Sequence, residues 1–178
     1  MDLNKAIQTR HSVRKFKSQK PDWRTIIECI NSARYAPNAG GNFTTKFIIV
    51  ENKEKIQKLA DAAQQPFIAK AGFVVVACSN PLRAINAYGK KGEDYSRQQA
   101  GAAIENFLLK IQEKNLATCW VGAFVESIVK ETLKIPEHIN VEAILPIGYE
   151  FKKTPLKNKI DLDSILYFED YGNKKKKR

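Results

Sequence analysis

Hydrophobic positions recur along the chain at helical spacing in some stretches and form unbroken runs in others. After Pro21-Asp22, apolar residues follow every three or four positions as far as Ala33, which predicts an amphipathic helix. The longest helical pattern runs from about Glu93 to Lys114, and its inward positions are Ala100, Ile104, Phe107, Leu108 and Ile111. The run FVVVA at 73–77 predicts a strand buried on both faces, because it is β-branched and lacks polar alternation.

Weaker patterns of the same two kinds fill most of the remaining chain. Asp2 can cap a first short helix whose inner face carries Leu3, Ala6 and Ile7, and Asn52 can cap another helix. Further strands are expected at 46–50, 116–122, 141–149 and 165–168. Helices and strands without regular βαβ alternation predict an α+β domain in which a small mixed sheet is flanked by helices.

The positive charge of the chain is concentrated at its C-terminus. Of the net charge of +11, residues Lys174 to Arg178 contribute +5, which leaves +6 on the rest of the chain. We therefore assign one domain to residues 1–170 and interpret residues 171–178 as a solvated, disordered basic tail. A basic module that binds nucleic acid is the alternative. No aromatic residues interleave with the basic run to stack on bases, so nucleic acid is not the partner we expect.

The length of 178 residues and the apolar content of 43% fit one domain with its own core. No run approaches the roughly 18 uninterrupted apolar residues of a membrane span, and the N-terminus lacks a signal-type stretch. We therefore expect a cytoplasmic protein without membrane contact. The three cysteines are odd in number and embedded in apolar sequence, which indicates reduced core residues. With only two histidines and no Cys or His cluster, we expect no metal site.

Several common catalytic motifs are absent from the sequence. It contains no G-x-x-x-x-G-K-[ST] phosphate loop, no G-x-G-x-x-G after a strand, no G-x-S-x-G elbow and no H-E-x-x-H. The only Ser–His pair, His11-Ser12, is adjacent in sequence, and no acid is placed to orient it. Hydrolase chemistry is therefore poorly supported.

Four polar segments remain as candidates for a site. Residues 10–16 (RHSVRKF) bring two arginines and a hydroxyl together, a set that can bind phosphate, although an ordinary basic helix end looks the same. Residues 37–42 (PNAGGN) form either a common turn or a loop whose backbone approaches a planar ligand. Residues 119–123 (CWVGA) are small residues at the end of a strand, and 157–159 (KNK) hold two cations.

Taken in order, these segments and others form a pattern that resembles the FMN-dependent nitroreductase family. The elements that carry the resemblance are RHSVRKF (10–16), APNAG (36–40), Asp94 with NFLL (106–109), LATCWVG (116–122), LKIPEH (133–138), PIGY (146–149) and the K-x-K pair at 157 and 159. The resemblance spans residues 3–168. It implies an α+β sandwich, an interlocked homodimer and an FMN at each dimer interface.

The resemblance also implies which residues bind the flavin. Those expected at the FMN phosphate and ribityl chain are Arg10, His11, Ser12, Arg14, Lys157 and Lys159. Those expected to line the isoalloxazine from the opposite subunit are Pro37, Asn38, Ala39 and Gly40, with Asn42 or Gly41 in the place of a flavin-contacting Asn. Those expected along the other side of the flavin are Trp120, Val121, Gly122 and Ala123, with the backbone of Gly122 and Ala123 near N5. Gln65 is a weaker match to a polar side chain that bonds the flavin.

The activity implied by the resemblance is NAD(P)H-dependent reduction of nitro, quinone or similar small organic oxidants in a ping-pong reaction. The protein would then need no acid or base of its own, because the cofactor carries the hydride chemistry. A flavoprotein of the same fold with another reaction, such as dehalogenation or flavin degradation, stays open. The sequence departs from the family where residues 39–45 read AGGNFTT, and where lysine replaces the commoner arginine at Lys159.

Overall fold

A small antiparallel sheet forms the centre of the molecule. A computed structural model describes residues 1–156 and 158–176. Its four strands are β1 (Thr45–Val50), β2 (Phe73–Ser79), β3 (Ala117–Thr118) and β4 (Asn140–Gly148), in the spatial order β1-β2-β4-β3. The sheet is as small as predicted. Its pairing within the described residues is antiparallel throughout rather than mixed, so that detail of the prediction was wrong.

Six helices surround the sheet in the described part of the chain. They are α1 (Leu3–Thr9), α2 (Trp23–Ala33), α3 (Lys53–Ala62), α4 (Leu82–Tyr88), α5 (Lys91–Glu113) and α6 (Glu126–Leu133). Single 3-10 turns occur at Ala39–Gly41, Pro66–Lys70 and Leu162–Ser164. The predicted caps are confirmed, because the side chains of Asp2 and Asn52 each accept a hydrogen bond from a backbone N–H in the first turn that follows.

Alternate residues of β2 pack against helices on opposite faces of the sheet. Phe73, Val75 and Ala77 share one core with residues of α2 and α5. Val74 and Val76 share a second core with residues of α3 and α6. All seven residues of β2 are buried, which confirms the sequence-based prediction of a strand covered on both sides. The result is an α+β sandwich with one helical layer on each face.

The short helix α4 was not predicted from the sequence, and it packs closely on the start of α5. A Cβ atom on Gly92 of α5 would overlap the backbone of Ala84 in α4, so this crossing requires glycine. The same packing places the ring of Tyr88 edge-on to Tyr95, with centroids 5.3 Å apart. Tyr88 also contacts the loop that contains Gly40.

Two strand predictions and one helix face differ from the structure. The run at 165–168 is not a strand: Ile165 and Leu166 are exposed, and none of the described strands lies beside them. The predicted strand at 116–122 is paired only at Ala117–Thr118 and, as an isolated bridge, at Val121. In α1 only Ala6 is buried, whereas Leu3 is 66% and Ile7 is 51% exposed. An apolar run predicts burial but does not identify the surface that provides it.

The chain after β4 crosses the surface without entering the sheet. Near its end, the Lys174 ammonium lies 4.2 Å from the centroid of the Tyr167 ring and donates to the carbonyl of Asp163. Lys177 and Arg178 lie outside the described residues. The boundary between a domain and a basic tail at residue 171 therefore stays a prediction. No helix in the described ranges is both long and apolar enough to cross a membrane.

Candidate functional site

The segment Arg10–Phe16 leaves α1 and runs between the ends of β3 and β4. The backbone N–H of Val13 donates to the carbonyl of Thr118 at 2.9 Å, and Phe16 forms an isolated bridge with Glu150. Val13 and Phe16 are buried together with Ala117. Because these apolar side chains point inward, Ser12 and Arg14 are left on the outer surface. The sequence thus presents polar groups on one side of a segment that its apolar residues anchor.

The exposed side of this segment forms one wall of a cationic cavity. The cavity has a volume of about 270 Å³. Its lining residues are Arg10, His11, Ser12 and Arg14 from the N-terminal wall and Thr154, Pro155, Leu156 and Lys159 from the C-terminal wall. The structure therefore brings together five of the six residues predicted for the phosphate. The sixth, Lys157, lies outside the described residues.

The volume of this cavity, about 270 Å³, sets what it can enclose on one chain. Sites that bury a whole small organic ligand measure roughly 300–1,000 Å³. The cavity is therefore of a size for an anionic group with part of a chain attached to it. Guanidinium and ammonium groups with a hydroxyl are the donors that bind phosphate oxygens best. The donor set of this cavity consequently fits a terminal phosphate.

Side chains from other elements hold the cavity's cations in place. The Nε of Arg10 lies 3.2 Å from Oε1 of Glu105 on α5, which leaves the two terminal nitrogens of the guanidinium for a ligand. The guanidinium carbon of Arg14 lies 6.0 Å from the centroid of the Phe67 ring. Phe67 belongs to the 3-10 turn that follows Gln65. Gln65 is half-buried and is not among the residues that line the cavity, so its contact with a flavin stays a prediction.

His11 is held by acceptors at both of its ring nitrogens. Its Nδ1 lies 2.8 Å from the carbonyl of Thr9, and its Nε2 lies 3.1 Å from Oε1 of Glu150. Which ring nitrogen donates depends on the tautomer. The same Glu150 oxygen accepts the backbone N–H of Thr154 at 2.8 Å. Partial burial opposes ionisation of Glu150, but the hydrogen bonds from Thr154 and His11 hold the pKa of its carboxyl below the ordinary value.

The loop predicted to face an isoalloxazine lies at a second cavity. This cavity has a volume of about 200 Å³ and is lined by Pro37, Asn38, Ala39, Tyr95, Gln98, Gln99 and Ala102. Gly40 and Gly41 have positive φ values of 57° and 75°, which place the backbone in a conformation that favours glycine. The side chain of Asn42 donates to the carbonyl of Gly40 at 3.4 Å, so Asn42 closes the turn.

Buried polar side chains of α5 fix the end of this loop. Oε1 of Gln99 accepts both the backbone N–H and the hydroxyl of Thr44, and its Nε2 donates to the carbonyl of Asn42 at 3.1 Å. The Ser96 hydroxyl donates to the Thr44 hydroxyl at 2.9 Å. Gln99 is only 4% exposed, so its three hydrogen bonds replace water that could not reach these groups. The loop is therefore attached to α5 and not to the cationic cavity.

In the segment Trp120–Ala123, which follows β3, Val121 is buried and the other three residues are exposed. Val121 is buried and exchanges two backbone hydrogen bonds with Ile144, at 3.0 and 2.9 Å. Gly122 and Ala123 are exposed, and the backbone hydrogen bonds among the described residues include none donated by their N–H groups. These two amides are thus available to a ligand, and their contact with a flavin stays a prediction. The backbone groups of Val121 are already paired with Ile144, and a contact between Val121 and a ligand stays a prediction.

A family comparison agrees with these features. A model of the Nitroreductase family matches residues 7–66 and 61–149. The chain belongs to this family. The match ends at Tyr149, so Glu150 and the C-terminal wall of the cationic cavity lie beyond it. Membership confirms the resemblance that the ordered motifs indicated.

Individual relatives cover nearly the whole chain. A provisionally named NADH dehydrogenase/NAD(P)H nitroreductase of Methanothermobacter thermautotrophicus is 26% identical over 172 residues, which are 93% of this chain and 86% of the relative. A nitroreductase family protein of Clostridium novyi NT is 29% identical, with a TM-score of 0.79 over 97% of this chain and 96% of that one. An FMN-dependent nitroreductase of Clostridium difficile R20291 shares the fold, with 24% identity, a TM-score of 0.81 and coverage of 93% and 98%.

Several residues of the site were not found from the sequence. Thr154, Pro155 and Leu156 line the cationic cavity, and the only sequence signal for them is their position just before the K-x-K pair. Glu105 and Glu150 contact Arg10 and His11 from positions about 95 and 139 residues away along the chain. No local spacing connects such partners, so only the folded chain identifies them.

Proposed function

We propose that this protein is an FMN-dependent oxidoreductase that uses NAD(P)H to reduce nitro, quinone or similar small organic acceptors. The observation that carries the proposal is the cationic cavity, in which Arg10, His11, Ser12, Arg14 and Lys159 converge although they lie at opposite ends of the sequence. Membership of the nitroreductase family supports it. So do two of its relatives, one named as an NAD(P)H nitroreductase and one as an FMN-dependent nitroreductase.

FMN fits the donors of this cavity better than FAD does. FMN ends in a single phosphate, and the cations here surround one compact cavity. A pyrophosphate is commonly bound at a glycine-rich turn before a helix, and this sequence has no G-x-G-x-x-G motif after a strand. Arg10, Arg14 and Lys159 would bind the phosphate, and Ser12 would add a hydroxyl donor. Lys157 remains a proposed fourth cation on sequence grounds alone.

The remaining site residues would position the ring system and exclude water from it. The free amides of Gly122 and Ala123 would donate to the flavin near N5, and the Pro37–Gly40 loop would lie against the ring. When bound, FMN supplies the hydride chemistry, accepting two electrons from NAD(P)H and passing them to the organic acceptor after the nicotinamide has left. The protein's own contribution is then binding and orientation, and no side chain needs to transfer a proton.

We propose that the active form is a homodimer. On one chain, the Pro37–Gly40 loop and the residues of the cationic cavity line two different cavities. A flavin that contacts both groups of residues would therefore receive one group from a second copy of the chain. An apolar groove of about 310 Å³ runs between α1, α2 and α5, and Leu3, Tyr35 and Leu109 line it. A Cβ on Gly101 of α5 would meet open space, so another helix can approach this part of α5 closely.

The first experiment identifies the chromophore. The protein is purified, its visible spectrum is recorded, and the flavin released on denaturation is identified by chromatography and mass. FMN is the expected result. Release of FAD, or failure to bind any flavin after reconstitution with FMN, would contradict the proposal. Anaerobic addition of NADH or NADPH should then bleach the bound flavin, and a nitroaromatic or quinone should restore its colour. A flavin that stays oxidised with both nucleotides would favour the other flavin reactions considered from the sequence.

The second experiment tests the dimer with two matched substitutions. Leu3→Asp introduces a charge into the apolar groove, whereas Ile128→Asp does the same at an isoleucine of α6 that is 40% exposed outside it. Sedimentation at low micromolar concentration should show two chains for the natural sequence and for Ile128→Asp, and one chain for Leu3→Asp. A monomer that binds FMN as tightly as the natural protein would refute a shared site. We also propose that the protein is cytoplasmic and does not act on nucleic acid.

A further inference from the structure

Glu150 connects the two walls of the cationic cavity through a single oxygen atom. Its Oε1 lies 3.1 Å from Nε2 of His11 on the N-terminal wall and accepts the backbone N–H of Thr154 on the C-terminal wall at 2.8 Å. Glu150 itself is not among the residues that line the cavity. It is also held by the backbone, because it bridges to Phe16. One side chain outside the cavity thus joins the two segments that form it.

Among the residues that the structure describes, the two walls have few other connections near the cavity. Phe151 donates its backbone N–H to the carbonyl of Lys15 at 3.0 Å, which pairs the two segments just before they diverge. Beyond that point, Thr154, Pro155 and Leu156 continue along the surface as exposed chain. The hydrogen bond from Thr154 to Glu150 therefore sets where the second wall begins. A shift of this wall would change the separation between Lys159 and the arginines.

We propose that Glu150 is a positioning residue for the FMN phosphate. It acts by fixing His11 and Thr154 at a set separation. This inference rests on the proposed function of the cavity. The Glu150 carboxylate would thus have a role at the cationic cavity, two of whose lining residues, His11 and Thr154, it contacts. The role is geometric: the shared acceptor oxygen is the feature required, and its negative charge is unfavourable toward the phosphate.

A geometric role of Glu150 and a purely electrostatic effect of its charge predict opposite results for substitutions of this residue. If only charge mattered, removing a carboxylate from beside an anion site would tighten FMN binding, and Glu150→Asp would change nothing. If position matters, Glu150→Gln keeps an acceptor oxygen at the same reach and should preserve binding. Glu150→Asp keeps the charge but is one methylene too short to reach both partners, and should weaken binding. Glu150→Ala removes both contacts and should weaken binding as well.

The experiment measures the dissociation constants of FMN and riboflavin by fluorescence for the whole protein at one ionic strength. Glu150→Ala and Glu150→Asp should weaken FMN binding about tenfold, which corresponds to about 1.4 kcal/mol, close to the lower end of the range for hydrogen bonds to charged groups. Glu150→Gln should stay within about threefold of the natural protein. Riboflavin, which lacks the phosphate, should bind all four proteins equally. Glu137→Ala is the control, since this glutamate is 93% exposed and does not line the cavity.

The outcomes separate this inference from the proposed function. If the natural protein binds no FMN, the proposed function fails. If it binds FMN but Glu150→Ala or Glu150→Asp binds FMN as tightly or more tightly, the positioning role alone fails. The role also fails if Glu150→Gln is as weak as Glu150→Ala, or if riboflavin weakens in parallel with FMN. Should Glu150→Ala not fold, the comparison of Glu150→Gln with Glu150→Asp carries the same test.

Discussion

Two adjacent glycines in the loop at 39–41 offer a matched test of how α4 supports this loop. Gly40 and Gly41 both have positive φ values, of 57° and 75°. A Cβ on Gly40 would overlap the hydroxyl of Tyr88, whereas a Cβ on Gly41 would meet nothing within 4 Å. Gly40→Ala and Gly41→Ala therefore share the same backbone strain and differ in one contact. Gly40→Ala should be the more destabilising of the two.

The expected magnitudes follow from two separate costs. A non-glycine residue in the left-handed region costs about 1–2 kcal/mol, and both variants incur this cost. In Gly40→Ala the Tyr88 side chain must also shift, which disturbs its edge-on packing against Tyr95, with centroids 5.3 Å apart. Such a pair contributes about 0.5–1.5 kcal/mol beyond its buried area. The two variants should therefore differ by about 0.5–1.5 kcal/mol in their free energy of unfolding.

Urea unfolding at a fixed protein concentration and without added flavin provides the measurement, because both dimerisation and ligand binding would otherwise shift the midpoint. A double-mutant cycle with Tyr88→Phe then isolates the contact. Removing the hydroxyl should shrink the difference between Gly40→Ala and Gly41→Ala by at least half, although the ring carbon that bore it still lies 3.3 Å from the added Cβ. Equal losses for the two alanine variants, or a difference that Tyr88→Phe leaves unchanged, would refute the reasoning.

Three further predictions concern charge, buried polar groups and a thiol. Arg14→Ala should weaken FMN binding by about 1.5–3 kcal/mol, the range for hydrogen bonds to charged groups, whereas deletion of residues 174–178 should leave FMN binding unchanged. Equal losses of FMN affinity in fluorescence titrations would contradict the separation of the site from the tail. Gln99→Leu should lower the free energy of unfolding by about 1–3 kcal/mol, because it leaves the buried backbone N–H of Thr44 without an acceptor. Gln98→Leu, at the exposed neighbouring position, should leave the free energy of unfolding unchanged, and equal urea midpoints for the two variants would contradict this prediction. Burial raises the pKa of the Cys29 thiol to about 12 from 9.0, so its contribution to stability should be intact below about pH 9 and lost as the pH rises toward 12. Urea midpoints across this range should fall less steeply for Cys29→Ala than for the natural protein, and parallel slopes would contradict the assignment.

The sequence determined those elements whose signal is local. The β-branched run at 73–77 and the helical spacing from about 93 to 114 correspond to β2 and α5, because side-chain burial alone produces both patterns. The residues 165–168 carry a similar apolar signal and yet form no strand, since no neighbour in the described chain pairs with them. The pairing direction of the sheet was likewise predicted wrongly, because a strand's own sequence does not specify the partner that accepts its hydrogen bonds.

The site divides in the same way between sequence and tertiary structure. The order of short motifs was enough to identify the family and to propose Arg10, Ser12, Arg14 and Lys159 for one anion, four of the residues that line the cationic cavity. Their convergence, and the separation of that cavity from the loop at 37–42, depend on how distant segments pack. Glu150 has no motif of its own: its role depends on a contact with a residue 139 positions away. Residue types specify which chemistry is possible, but distances between side chains exist only once the backbone hydrogen bonds and the two cores have fixed the chain.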